Sequence, residues 1–115
     1  MKERKAETIQ ARKRDGSTQT IVIPKSRLDV EMQPDVPAYV LATLAFSVRV
    51  NGVRRWSDFT LQTLRRLETQ YGAQALRDTL CVLLDDIATG FKPTNPVGIL
   101  IHRIRLTANS GDMTI

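Results

Sequence analysis

The sequence is poor in the residues from which active sites and covalent frameworks are built. It holds one cysteine, Cys81, and one histidine, His102, among 115 residues. An internal disulfide is therefore excluded, and a zinc site has too few ligands at suitable spacing. Cys81 lies among Leu80, Val82, Leu83 and Leu84, the setting of a buried thiol that behaves as a small hydrophobe in a reducing, cytoplasmic environment. The six glycines are scattered as Gly16, Gly52, Gly72, Gly90, Gly98 and Gly111, so no phosphate-cradling loop is present. Asp85 and Asp86 are the only adjacent carboxylates, and on a helix they diverge by about 100°. No apolar run approaches the roughly 18 residues of a membrane span. The segment from Met1 to Arg14 is charged without the apolar core of a signal peptide, and neither terminus carries a lipidation signal. A soluble chain with no membrane contact is expected. No nucleophile with its base, carboxylate pair or metal cluster emerges, so the chain reads as a binding protein with no catalytic residue, metal or cofactor.

What the sequence does have is charge in one place. Through Arg27 there are eight bases, Lys2, Arg4, Lys5, Arg12, Lys13, Arg14, Lys25 and Arg27, against Glu3, Glu7 and Asp15. The remainder is balanced, nine bases against nine acids, so the N-terminal segment carries the whole net charge of +5. Such a segment neutralises phosphates and releases their counterions, which makes DNA the simplest partner. Its plainer reading is a solubilising tail.

Along the chain, residues 1–20 read as a flexible basic arm with little apolar pattern beyond Ile9 and a break at Asp15-Gly16-Ser17. Residues 21–36 read as an extended strap and linker, with the β-branched Thr20-Ile21-Val22-Ile23 stopped by Pro24. Residues 37–108 read as a helical domain. Pro37 suits a first helical turn, and Tyr39, Val40, Leu41, Leu44, Phe46 and Val48 suggest an enclosed central helix reaching Val50. A rival reading remains open there: Phe46, Val48 and Val50 alternate with polar residues, and Asn51-Gly52 is a favoured hairpin turn. Ser57 or Asp58 begins a second helix with Leu61, Leu64, Leu67 and Tyr71 inward and Gly72 as its stop. A third follows from about Ala73 to Thr89, with Leu76, Leu80, Leu83, Leu84 and Ile87 inward and Gly90 beyond. Thr94-Asn95-Pro96 opens a fourth, whose inward residues are Val97, Leu100, Ile101 and Ile104. Asn109-Ser110-Gly111 should break it, leaving residues 109–115 as a frayed tail. The expected fold is all-α, a compact bundle of about four helices preceded by a short extended segment and the arm.

Outside the arm, bases gather at Arg54-Arg55 and at His102, Arg103 and Arg105. An exposed Trp56 beside two arginines could stack on an unpaired base, whereas a buried Trp56 would anchor the core. Ile99 and Leu106 fall on the far side of the last helix and are candidates for a subunit interface.

The succession Trp56, Leu61, Leu64, Leu67, Tyr71-Gly72, Leu76, Leu80 and Asn95-Pro96-Val97-Gly98-Ile99-Leu100-Ile101 resembles the helical DnaD-like domains of bacterial replication initiation and helicase-loading proteins, over about Pro37 to Leu106. The resemblance implies binding of single-stranded or duplex DNA through the last helix, here His102, Arg103 and Arg105, together with self-association and a replication-protein partner. The expectation is a DNA-binding accessory protein of replication, repair or mobile-element maintenance, in which Lys2, Arg4, Lys5, Arg12, Lys13, Arg14, Arg54, Arg55, His102, Arg103 and Arg105 contact the nucleic acid. The alternative is an interaction adaptor or self-associating helical module whose basic tail is incidental.

Overall fold

One antiparallel hairpin precedes the helices and a second interrupts them. The computed structural model describes residues 7–112, with side chains described through residue 108. Strands β1 (Thr8–Arg12) and β2 (Thr18–Val22) pair with Ile9 opposite Ile21 and Arg12 opposite Thr18. A short helix α1 (Arg27–Glu31) and helix α2 (Ala38–Ala45) precede a second hairpin, β3 (Val48–Val50) with β4 (Val53–Arg55). Helices α3 (Asp58–Tyr71), α4 (Ala73–Ala88) and α5 (Pro96–Asp112) complete the chain.

The all-α expectation is therefore corrected to a mixed architecture, with five helices and two small sheets among the described residues. Within the described part of the basic arm, residues 8–22 form a hairpin, because Ile9 and Ala11 turn to the same face and find Ile21 across the ladder. Asp15-Gly16-Ser17 forms its turn. The Asp15 carboxylate accepts hydrogen bonds from the Ser17 backbone N–H at 2.9 Å and its hydroxyl at 2.6 Å, an Asx turn that orders the loop. The expected central helix is likewise shorter than Ala38 to Val50. Asn51 (φ 53°) and Gly52 (φ 79°) both take positive φ, the conformation of a type I′ hairpin turn, so the alternation of Val48 and Val50 is realised as a strand. The linker contains α1, whose Val30 is fully buried. At the other end α5 continues to Asp112, through the residues expected to break it. Residues 113–115 of the expected tail lie outside the described residues.

The other helix boundaries follow local chemistry. The Ser57 hydroxyl accepts from the Thr60 N–H at 3.0 Å and caps α3. Gly72 (φ 99°) separates α3 from α4 in a conformation that a side chain would disfavour. Asn95 caps α5 by accepting from the Gly98 N–H at 3.2 Å, and a Cβ on Gly98 would stand 2.7 Å from that same amide.

Helix α4 is the hub, in contact with α1, α2, α3 and α5. Its Leu76, Leu80 and Leu83 are fully buried beside Leu41, Leu44, Leu64, Leu100 and Ile104 from the surrounding helices. Two polar side chains hold α1 and β2 to this core. Arg77 of α4 donates to the carbonyls of Val30 (3.0 Å), Gln33 (3.4 Å) and Val36 (2.5 Å), tying α1 and the turn after it to α4. The Gln33 amide accepts from the Val22 N–H at 2.8 Å and donates to the carbonyls of Val22 and Asp29, each at 2.9 Å. One side chain thus replaces a neighbouring strand at the edge of β2.

Candidate nucleic-acid interface

The fold divides the bases into those held by carboxylates and those facing outward. Glu7, just before β1, receives three of the first kind. In β3–β4, Arg49 and Arg54 stand directly opposite each other, a like-charge pair that would repel. The Glu7 carboxylate relieves it, accepting from Arg49 and from Arg54 Nη2 (2.5 Å) and Nε (3.0 Å), with Lys25 Nζ 3.6 Å away. Arg54 also donates to the Ser47 hydroxyl at 2.9 Å, and its side chain is 16% exposed. Hydrogen bonds from Arg54, with those from Arg49 and despite partial burial, hold Glu7 far below its ordinary value of 4.5, at about 2. Arg54 is thus primarily a clamp between the hairpins.

Elsewhere, Arg27 meets Asp85 at 2.7 Å and Arg103 meets Asp86 at 2.5 Å. The Arg103 guanidinium also lies 5.6 Å from the Phe91 ring centroid. Of the basic candidates on α5, this leaves His102 and Arg105 exposed without such a partner among the described residues.

Two further groups of bases face outward. Arg12, Lys13 and Arg14 are exposed at the end of β1 and in its turn. The loop is closed by Lys13 N–H to Ser17 carbonyl at 2.8 Å and Gly16 N–H to Lys13 carbonyl at 3.1 Å. Asp15 faces Ser17, whose side-chain and backbone hydrogen bonds lower its pKa. At roughly 3.4 Å per residue, this tip stands about 17 Å from the Glu7 clamp. Lys2, Arg4 and Lys5 lie outside the described residues.

The second group surrounds the start of α3. Arg55 is exposed, and Trp56 is 41% exposed rather than a core anchor. With Arg54 they line a shallow depression of about 250 Å³. Phe59, one turn on, is 80% exposed. Farther along the helix, Gln62, Arg65, Arg66 and Thr69 line a depression of about 220 Å³. Phe59, Arg65 and Arg66 were not among the sequence candidates, yet their signal was present. With Leu64, Leu67 and Tyr71 inward, a 3.6-residue period turns Phe59, Gln62 and Arg66 to the opposite side.

The two interface candidates separate. Ile99 is partly buried and packs against the core, whereas Leu106 is 51% exposed and shares with Val82 and Thr79 an α4–α5 groove of about 320 Å³. Cys81 is buried, and burial raises its pKa, which keeps the thiol protonated. Among the described residues no group of three or more His, Cys, Asp or Glu could hold a metal ion, and no helix is long and apolar enough to cross a membrane.

No protein-family model matches the chain, and neither curated proteins nor solved structures provide a significant match.

Proposed function

We propose that this is a non-enzymatic, cytoplasmic DNA-binding accessory protein that holds phosphates through the β1–β2 tip and the arginines around α3. The observation that carries the reading is the ordered tip: Arg12, Lys13 and Arg14 are consecutive and all exposed there, while the neighbouring Asp15 is hydrogen-bonded within the loop. A two-stranded ribbon with a basic tip is narrow enough to follow a nucleic-acid groove, and its charge gives affinity with little sequence choice. Arg55, Arg65 and Arg66 are further exposed bases, on β4 and α3 of the body. Resemblance of the Trp56 to Ile101 pattern to DnaD-like domains is the reason for naming replication, repair or mobile-element maintenance as the setting.

The test is fluorescence anisotropy with labelled DNA across a salt series. Replacing Arg12, Lys13 and Arg14 together by alanine should reduce the slope of log affinity against log salt by about 2 to 3, since each lost phosphate contact removes about 0.7–0.9. No binding by the native chain at low ionic strength, or an unchanged slope in the triple variant, rules the reading out.

One observation favours a second reading, a docking adaptor. The α4–α5 groove exposes Val82 and Leu106 together, an apolar strip suited to a protein segment. Leu106→Asp would then abolish partner or self-association while sparing DNA affinity.

A further inference from the structure

Phe59 is the least expected side chain on the surface. It is 80% exposed at the first turn of a helix that has an apolar interior face available. Trp56, three residues earlier and 41% exposed, has its Cα at most about 11 Å away. The charged residues around this pair are unevenly matched. Arg55 precedes it and Arg65 and Arg66 follow it, all exposed, whereas Asp58 is the one exposed acid on the segment from Arg55 to Arg66. Two shallow depressions on this segment are lined in part by arginines, one by Arg54, Arg55 and Trp56 and the other by Arg65 and Arg66 with Gln62 and Thr69.

Two exposed rings between arginines match a ligand that offers flat π-faces and negative charge in alternation. In duplex DNA the base faces are covered by stacking, and only edges and phosphates can be touched. In an unpaired strand the faces are available, and stacking on aromatic side chains tolerates any base. We infer that the β4–α3 surface binds single-stranded nucleic acid, with bases stacked on Trp56 and Phe59 and phosphates held by Arg55, Arg65 and Arg66. This rests on the DNA-binding reading above and deepens it: the hairpin tip supplies charge that any nucleic acid can use, while the aromatic pair selects an unpaired strand. Of the α5 bases, Arg103 is already held by Asp86.

Trp56 is the only tryptophan in the chain, so its emission reports directly on the site. The full chain would be titrated with an oligothymidylate and with a duplex of equal length, following Trp56 emission and anisotropy of labelled DNA together. The single strand should quench Trp56 and bind at least about tenfold more tightly than the duplex, and Phe59→Ala should remove about fivefold to a hundredfold of single-strand affinity without changing duplex affinity. Because Phe59 is exposed, the variant should retain the native circular dichroism spectrum and unfolding midpoint.

Equal affinity for both DNAs, binding without a change in Trp56 emission, or native single-strand affinity in Phe59→Ala would each overturn the stacking inference while leaving phosphate binding by the tip intact. Conversion of an oligomer to a monomer by Phe59→Ala in light scattering would also overturn it, by assigning the rings to a protein interface. Absence of binding to either DNA would remove the underlying reading as well.

Discussion

Replacing Gln33 by alanine tests whether one amide side chain holds the basic hairpin to the helical body. Gln33 makes three hydrogen bonds at 2.8–2.9 Å, two to Val22 and one to Asp29. A typical intramolecular hydrogen bond contributes about 1 kcal/mol net, so the three together contribute about 3 kcal/mol. Freeing a glutamine side chain returns about 1 kcal/mol of rotamer entropy in this partly exposed position. The expected loss is therefore about 2 kcal/mol, equivalent to a fall in Tm of about 8 °C for a chain of this size. Urea denaturation gives the global value, and hydrogen exchange at the Val22 amide gives the local one, since that N–H loses its acceptor. Gln33→Glu supplies a second arm. Its carboxylate can still accept from Val22 but cannot donate to either carbonyl, so it should also be destabilised. A loss below about 0.5 kcal/mol in Gln33→Ala, with the Val22 amide still protected, would refute the role assigned to this side chain.

The Glu7 clamp predicts an acid-sensitive component of stability. Its pKa of about 2 in the fold lies below the ordinary 4.5, so the folded state binds this proton less readily than the unfolded chain. The contribution is complete above pH 4.5 and is lost as pH falls from there towards 2. Urea midpoints should decline over that window more steeply in the native chain than in Glu7→Gln, and parallel curves would show that the carboxylate is uncoupled from folding. In the core, Leu80 of α4 is fully buried, and Leu80→Ala should cost about 2–5 kcal/mol through lost apolar burial and the cavity left behind. A smaller loss in equilibrium unfolding would mean that the helices around α4 close over the gap.

Helices α3 and α4 were legible because their signals are local. Leu61, Leu64, Leu67 and Tyr71 repeat at helical spacing, Ser57 caps the start, Gly72 stands immediately beyond α3, and Gly90 follows the Thr89 cap of α4. The same holds for the opening of α5 at Asn95-Pro96. Burial of Cys81 was equally plain from its apolar neighbours. In each case one element contains enough information to define itself, since helical hydrogen bonds join residues four apart.

The hairpins depended on pairing across the chain. Ile9 alone carries little strand signal, and it becomes part of a sheet only when Ile21 lies opposite. Phe46, Val48 and Val50 satisfied helical and strand patterns alike; in the fold the Asn51-Gly52 turn brings Arg54 beside Arg49, with Glu7 between them. Which bases remain available to a ligand was decided the same way. The sequence determined how many charges there are and where they fall along the chain, whereas only the tertiary structure decided that Arg54 and Arg103 meet carboxylates 47 and 17 residues away and that Arg12, Lys13, Arg14, Arg55, Arg65 and Arg66 face outward. The physical reason is that an ion pair is set by distance in space, which separation along the chain does not specify.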